Sequence, residues 1–317
     1  MSTHISLNAE VPEHLSGSRL DQIAAKLFPE YSRSRLQSWI KQGELVVNQQ
    51  ARRARDKLNT GDKLSIDTEI ASDNRWTAQA MPLDLVFEDE HLLVINKATN
   101  TVVHPAAGHA DGTLLNGLLH YCPQLEEVPR AGIVHRLDKD TTGLMVVAKT
   151  LEAHLSLVNQ LQLREVVREY QAIAQGVFTG GGRVDEPLGR HPVNRKKRTV
   201  VQLHGQEAIT HYWVLNRFRS HTHIRVKLET GRTHQIRVHM AHLSHPLVGD
   251  PMYGGRFGLP AACSQELASC LRQFKRQALH AGKLGLRHPQ TNEDLCWQVD
   301  LPQDMVELLD ALQEDGE

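Results

Sequence analysis

The chain has 317 residues, enough for two domains, and its 40% hydrophobic and 23% charged residues are typical of a water-soluble globular protein. The formal net charge of −1 offers no global attraction for a polyanion, so a nucleic-acid surface would need local separation of charge. The N-terminus lacks the features of a secretory signal, and no apolar run approaches a membrane span. With four cysteines that form no CxxC pair, these features predict a cytoplasmic protein with reduced thiols.

Residues 1–12 and 16–67 have the pattern of a first strand or arm followed by a small folded unit. RLDQIAAKLF carries apolar residues at helical spacing, and SRSRLQSWIKQG predicts a second helix that begins at Ser32 or Ser34 and ends at Gly43. ELVVN and GDKLSID predict two strands joined by a turn. The sequence therefore predicts a compact unit of two helices and a short sheet.

The charge of this unit differs from that of the whole chain. Positions 19–63 contain ten basic and five acidic residues, a local charge of +5. A solvated helical face would explain such a run, but a polyanion is its natural partner. The unit also resembles the S4 RNA-binding module, which implies that Arg33 and Arg35 contact structured RNA. The matching positions are Arg19, Ser32, Arg33, Ser34, Arg35, Gly43, Val47, Asn48, Gly61 and Asp62.

The polar residues 68–80 predict a linker, so we expect an RNA-binding domain with its linker at 1–75 and a second domain at 76–317. In the second domain LDLVFEDEHLLVINK predicts two strands and TLLNGLLHY a helix. GIVHR and GLMVVAK predict further strands. LEAHLSLVNQLQLRE predicts a helix whose apolar stripe holds Leu151, Leu155, Val158 and Leu161.

The C-terminal half is also rich in predicted strands. REYQAIAQGVF, ITHYWVLNRF and HIRVKLETG predict strands, GGGRVDEPLG predicts a loop, and HQIRVHMAHL predicts a helix. Because strands outnumber helices and several are arranged as hairpins, we expect an α+β fold with a mixed, mostly antiparallel sheet.

Residues 132–149, GIVHRLDKDTTGLMVVAK, place a charged segment between two apolar runs. A Thr-Thr-Gly turn would hold Asp138 between Arg136 and Lys139, and a carboxylate among cations stays ionised and oriented. Such a carboxylate is suited to act as a nucleophile. A structural Asp–Arg pair explains the pattern equally well, and the residues alone do not distinguish Asp138 from Asp140.

The segment ETGRTHQIRVHMAHLSHPLVGDPMYGG concentrates two arginines and four histidines. His239, His242 and His245 are three residues apart, which raises the alternative of a zinc site on a helix. The segment has no HExxH pattern and no cysteine, so we expect no metal, and histidines that contact phosphates or lie in the core. Tyr170, near Arg168 on an apolar strand, would by itself be interpreted as a core residue. The basic segment HPVNRKKRTV predicts a solvated loop or a phosphate contact.

Three long segments resemble the pseudouridine synthases that carry the signature HRLDxxTSG. They are AGIVHRLDKDTTGLMVVAKT, LETGRTHQIRVHMAHLSHPLVGDPMYGGR and RQALHA, within a resemblance that runs from about Leu83 to Leu308. The first family motif differs, because NKATNTVVHP has Ala98 and Asn100 where the family has a proline and a glycine. That difference concerns the geometry of a turn and removes no chemical group.

The resemblance implies a role for each candidate site residue. Asp138 would be the catalytic carboxylate, Arg237 its salt-bridge partner, and Tyr170 the tyrosine that packs against a uridine flipped out of its helix. Arg136 would fill the gap that the uridine leaves. The remaining candidates would line the pocket or contact RNA, and they are Leu144, Ile236, Arg232 and His234.

The implied reaction is the isomerisation of uridine to pseudouridine in 23S ribosomal RNA, in the helix 69 stem-loop. The sequence does not determine the oligomeric state, and we take a monomer as the default. The implied partner is the large ribosomal subunit or its precursor. Rejoining the base at C5 needs no redox step, so we expect no cofactor. Two alternatives remain open. A non-catalytic assembly factor would use only the basic unit, and a glycoside hydrolase would need two carboxylates about 5–9.5 Å apart.

Overall fold

The computed structural model describes residues 3–29, 31, 33–70, 76–105 and 111–316. The chain divides into two compact units, residues 1–75 and 76–317. Ser32, one of the two predicted helix caps, and residues 71–75 of the predicted linker lie outside the described residues. Within the described ranges, no helix combines the length and the apolar character that crossing a membrane requires.

The N-terminal unit combines two helices with a three-stranded antiparallel sheet in the order β1-β3-β2. Leu20, Ile23 and Ala24 are buried on one helix, and Leu36 and Ile40 on the next, so the predicted helical spacing produces a shared apolar core. The elements are β1 Thr3–Glu10, α1 Leu20–Leu27, α2 Arg33–Gln42, β2 Leu45–Val47 and β3 Lys63–Ile70.

In the described part of residues 76–317, nine strands form one sheet in the order β4-β5-β6-β13-β7-β12-β11-β8, with β14 paired to β13. Its strand pairs are antiparallel except β6 with β13, which confirms the α+β fold with a mostly antiparallel sheet. A separate hairpin pairs β9 with β10. The elements are β4 Leu85–Glu88, β5 Leu92–Lys97, α3 Leu114–Tyr121, β6 Thr142–Ala148, α4 Leu151–Gln162, β7 Val167–Gln175, β8 Gly182–Asp185, β9 Leu188–Arg190, β10 Arg198–Val200, β11 Ile209–Arg217, β12 His221–Leu228, α5 Gln235–His242, α6 Gln265–Gln273, β13 Leu279–Arg287, β14 Asp294–Gln298 and α7 Gln303–Glu314.

Both faces of this sheet are covered, because alternate residues of each strand enter different apolar clusters. On β6, Met145 and Val147 pack with α3 and α5, whereas Leu144 and Val146 pack with α4 on the opposite face. Gly143 lies where β6 meets β13, and a Cβ atom there would be 2.3 Å from the carbonyl oxygen of Ala281. A side chain at Gly143 would therefore separate the two strands.

Two predictions around the charged segment are wrong. GIVHR is not a strand, because Arg130, Ala131 and Gly132 adopt left-handed conformations and Ile133 forms only an isolated bridge. The His135 side chain then accepts a hydrogen bond from Val146 N (3.0 Å), in the place of a strand's backbone carbonyl. The residues Thr142 and Gly143 do not form the turn either, since they begin β6, and the turn runs from Asp138 to residue 141.

Two further predictions are corrected in the neighbouring elements. In α4 the buried stripe holds Ala153, Leu157 and Gln160, whereas Leu151 and Leu155 are 49% and 62% exposed. The helix has apolar residues on more than one face, and the face that packs against the sheet is the one with Ala153 and Leu157. GGGRVDEPLG, predicted as a loop, contains β8 and β9, because Gly182 to Asp185 pair with the edge of β11.

Candidate active site

A buried lysine forms hydrogen bonds that hold the loop of Asp138 in place. Lys97, at the end of β5, donates hydrogen bonds from Nζ to the carbonyl oxygens of Ala98 (2.8 Å), Thr101 (3.1 Å) and Lys139 (2.9 Å). Burial lowers the pKa of Lys97 to about 8, although the carboxylates of Asp140 and Asp138 oppose that shift. One ammonium group thus joins the turn of Asp138 to the preceding loop.

That preceding loop is the NKATNT segment, which differs from its family pattern. Asn100 adopts φ of 59°, a left-handed conformation that asparagine tolerates better than most residues other than glycine. Thr101 N donates to Lys139 O at 3.2 Å, so the loop also reaches the Asp138 turn through its backbone. The substitution of asparagine for glycine therefore keeps a conformation that glycine would also adopt.

Arg237 joins two carboxylates at the start of α5. Its Nη1 donates to Oδ2 of Asp138 (2.8 Å), while Nε and Nη2 donate to the two oxygens of Asp250 (2.7 and 2.9 Å). Asp250 is fully buried and also accepts hydrogen bonds from the backbone of Met252 and Tyr253. Burial alone would raise the pKa of Asp250, but Arg237 lowers it below its ordinary value. The guanidinium is thus held in one orientation by three hydrogen bonds to two carboxylate groups.

Asp138 has one oxygen engaged and one oxygen available. Oδ2 accepts from Arg237, whereas Oδ1 has no hydrogen bond to any residue in the described ranges and lies 3.8 Å from Nε2 of His234. His234 caps the N-terminus of α5 in a left-handed conformation, and its Nδ1 shares a hydrogen bond with the hydroxyl of Tyr253 (2.9 Å). Burial lowers the pKa of His234, although Asp138 opposes this shift. A carboxylate with one oxygen fixed and the other free can act on a bound molecule.

Asp138 lies on the wall of a cavity of about 560 Å³, a volume that suits a small ligand. Tyr170, only 7% exposed, lies on the same wall, and burial raises the pKa of its hydroxyl. Ile236 and Leu279 supply apolar surface, and the remaining lining includes several cations. The cavity thus places the Asp138 carboxylate and the Tyr170 ring among several basic side chains.

The structure brings most of the predicted site residues together at this cavity. Asp138, Tyr170, Arg237, Arg136, Arg232, His234 and Ile236 all line it. Arg136 is exposed, and Arg232 donates from Nε to Glu207 O at 3.0 Å. Leu144 does not line the cavity, because strand alternation turns it to the other face of the sheet, and this expectation is corrected.

Arg33 and Arg35, predicted to contact RNA, lie on α2 of the N-terminal unit. Arg33 donates from Nη2 to Oδ2 of Asp21 (2.8 Å), and about half of its side chain stays exposed. The guanidinium of Arg35 lies 6.0 Å from the centre of the Trp39 ring. Their role toward RNA stays a prediction.

The histidines of α5 do not assemble a metal site within the described ranges. His239 bonds through Nδ1 to the hydroxyl of Thr210 (2.8 Å) and through Nε2 to Glu186 O (3.0 Å). His245 bonds to Gln175 O and stacks on Phe178. The ring of His239 is satisfied in the core, one of the two roles expected for these histidines, and that of His245, which follows α5, is satisfied in a partly buried position.

Sequence reasoning missed several residues of the site. Asp250 and Tyr253 lie in a glycine-rich stretch, and Lys97 lies at the end of an apolar strand. One signal did point to a residue such as Asp250. A buried arginine such as Arg237 has five N–H groups and needs more than one acceptor, so a second carboxylate was to be expected near it. No local pattern identifies which carboxylate that is.

Comparisons with known proteins give three kinds of similarity. The family model described as RNA pseudouridylate synthase matches residues 91–242, and the S4 domain model matches residues 18–64. Among curated proteins, "Ribosomal large subunit pseudouridine synthase D" of Pseudomonas aeruginosa is 59% identical over all of this chain and 99% of its own. The protein of the same name from Escherichia coli K12 is 52% identical over all of this chain and 97% of its own. The solved structure of "Human RNA Pseudouridylate Synthase Domain Containing 4" matches with a TM-score of 0.57 and 27% identity, over 73% of this chain and 93% of that one.

Proposed function

We propose that this chain, which belongs to the RNA pseudouridylate synthase family, converts uridines to pseudouridines in the RNA of the large ribosomal subunit. Membership makes the chain an RNA pseudouridine synthase and decides against the glycoside hydrolase and the non-catalytic assembly factor. The observation that carries the choice of substrate is the full-length similarity to relatives named for that subunit. We further propose 23S RNA, in its helix 69 stem-loop, as the target.

The reaction starts with a uridine that leaves its helical stack and enters the cavity. Flipping a base costs about a few kcal/mol, and Arg136 at the exposed rim offsets part of that cost by occupying the vacated space. The ring of Tyr170 then provides a stacking surface, worth about 1–3 kcal/mol for a base on an aromatic side chain. These two contacts orient the nucleotide before any bond changes.

Asp138 acts on the ribose through Oδ1, the oxygen that Arg237 leaves free. In one route the carboxylate attacks C1′ and the bond to N1 breaks. In the other it removes the proton from C2′, and the bond between C1′ and N1 breaks as a consequence. The detached uracil rotates and C5 bonds to C1′, while the ester to Asp138 breaks in the first route and the proton returns to C2′ in the second. C5 then loses its proton and N1 gains one. Arg237 orients the carboxylate through its hydrogen bond to Oδ2, and Asp250 holds Arg237. Every step is a heterolytic bond change or a proton transfer, with no change of oxidation state.

RNA binding outside the cavity is assigned to the basic residues of both units. Arg232 and His234 lie on the cavity wall, and Arg33 and Arg35 lie within residues 18–64, which match the S4 domain model; both observations support this assignment. The cytoplasmic location and the monomeric state that the sequence suggests stay predictions.

The test of this function is the substitution Asp138→Asn, which keeps the shape of the side chain and removes its charge. We expect pseudouridine formation in 23S RNA to fall by at least about 10⁴-fold, while the Kd for RNA changes less than about twofold. Pseudouridine would be mapped in RNA from cells that lack the protein and carry either the wild-type or the variant gene.

The matched control is Asp140→Asn, because Asp140 has the same charge in the same turn and does not line the cavity. We expect this variant to keep most of the activity. Normal pseudouridine formation by Asp138→Asn would refute the role of Asp138. An unchanged map in cells without the protein would refute the proposed RNA target.

A further inference from the structure

Arg168 is a buried cation that the reaction described above does not use. It is 7% exposed and lies on β7 two residues before Tyr170, so strand alternation places both side chains on the same face. Both line the cavity that contains Asp138. A buried charge is costly unless something compensates it, so its position at the reaction site calls for a physical reason.

The compensation within the protein is incomplete. In the described ranges, the hydrogen bond of Arg168 runs from Nη2 to Glu229 O (3.0 Å), and no carboxylate forms an ion pair with it. Its Nε is buried without a hydrogen-bond partner. Arg237, on the same cavity wall, instead has two carboxylates. Arg168 therefore retains both its charge and its capacity to donate.

A glycine that also lines the cavity lies against this guanidinium. A Cβ atom at Gly231 would lie 2.8 Å from Nη1 of Arg168, and the backbone of Gly231 does not itself require glycine. Gly231 thus leaves space for the head of Arg168. The close approach of Gly231 and the unpartnered Nε are independent observations. Both indicate that the cavity accommodates the charged head of Arg168.

We propose that Arg168 stabilises the negative charge that develops on uracil when its bond to the ribose breaks; this proposal rests on the proposed reaction. When the C1′–N1 bond breaks, its electron pair stays with the base and spreads over N1, O2 and O4. Asp138 cannot neutralise that charge, and Arg237 is already paired. Arg168, beside the tyrosine on which the base stacks, supplies the positive charge and the N–H donors. The charge disappears again when C5 bonds to C1′, and C5 then loses a proton while N1 gains one.

The test compares Arg168→Gln with the wild type in single-turnover reactions at saturating enzyme, on RNA that carries uridine or 5-fluorouridine at the target. We expect Arg168→Gln to slow the consumption of uridine about 100-fold, while the Kd for RNA changes less than about twofold. Fluorine stabilises the uracil anion, so we expect the defect to shrink to about tenfold or less with 5-fluorouridine. Arg168→Lys should give an intermediate rate.

Two further variants make the test specific. Gly231→Ala removes no charge but displaces the guanidinium, so we expect a smaller defect that 5-fluorouridine also relieves. Arg225→Gln, an exposed arginine on β12, is the matched control and should leave both rates unchanged. The thermal midpoint of each variant would be measured to confirm folding.

Each alternative gives a different result. Weaker RNA binding with an unchanged rate at saturation would mean that Arg168 contacts a phosphate, and the proposal would be overturned. An equal loss of rate for uridine and 5-fluorouridine would also overturn it, since a structural role would not depend on the base. Failure of the wild-type protein to form pseudouridine would instead refute the reaction on which the proposal rests.

Discussion

Lys97 uses all three hydrogens of its ammonium group to bond backbone carbonyls, one in the Asp138 turn and two in the loop of Ala98 and Thr101. Its pKa is lowered to about 8, so the group is charged below that pH and neutral above it. A neutral amine has only two N–H groups, and its lone pair would face a carbonyl oxygen. We therefore expect the single-turnover rate to fall as pH rises above about 8.

The pH dependence of Lys97→Met would test this assignment. We expect its rate to be lower than that of the wild type at pH 7 and to show no further fall near pH 8. Lys149→Met is the matched control, because Lys149, like Lys97, donates to a backbone carbonyl. Its partners are the carbonyl of Asp89 and the carboxylate of Glu88, and it does not contact the Asp138 turn. A fall near pH 8 that persists in Lys97→Met would assign the ionisation to another group.

At the scale of single residues, the sequence identifies a functional residue more readily than its partner when the two are far apart along the chain. The charged segment draws attention to Asp138, but its neighbours Arg136 and Lys139 are not its ion-pair partners. The partner is Arg237, 99 positions away, and only the family resemblance indicated it. No sequence motif marks Asp250. Its role is visible only in the structure, where it accepts hydrogen bonds from Nε and Nη2 of Arg237.

Among the elements, α1 and α2 are joined by a buried carboxylate. Asp21 on α1 accepts hydrogen bonds from Arg19, from Arg33 (2.8 Å) and from Gln37 on α2 (2.9 Å). Burial alone would raise the pKa of Asp21, but these donors lower it below 3.8. The carboxylate therefore stabilises the folded unit fully above pH 3.8, and the contribution is lost as pH falls through the lowered pKa.

We expect Asp21→Asn to destabilise the N-terminal unit by about 1–3 kcal/mol at pH 7, because charged donors lose their acceptor. The measurement is amide hydrogen exchange of peptides from α1 and α2 in the full chain, which should become faster. Asp67→Asn, an exposed aspartate on β3, serves as the control. Equal exchange in both variants would show that the Asp21 contacts contribute nothing.

Element prediction succeeded where local pattern and packing agree, and failed where packing decides. β5, β6 and α3 follow from apolar runs and spacing. The apolar stripe of α4 was assigned to the wrong face, because Ala153 and Leu157 meet the sheet while Leu155 faces solvent. GIVHR has a strand's composition, but a left-handed run that starts before it, at Arg130 and Ala131, includes its first residue, Gly132. No residue-type preference would suggest that conformation at Arg130 or Ala131.

At the scale of the whole molecule, each unit has its own apolar core, so each is expected to fold without the other. We expect a variant that begins at Trp76 to remain folded and to bind the target RNA more weakly. The dependence of log Kd on log salt should become less steep by about 1 for each phosphate that the N-terminal unit neutralises in the full chain. Circular dichroism and binding isotherms at several salt concentrations would measure both effects. An unchanged salt dependence would contradict an RNA-binding role for the basic unit.

Strand β13 lies between β6 and β7 in the sheet, so the strand after Asp138 and the strand of Tyr170 are not direct neighbours. Residues Leu279–Arg287 fill that gap, and they are made about ten seconds after Asp138 at ordinary rates of synthesis. During that interval a nascent chain has its complete N-terminal unit but no assembled cavity. An unfinished chain is therefore expected to leave the uridines it meets unmodified, so that order of synthesis separates capture of RNA from its chemistry.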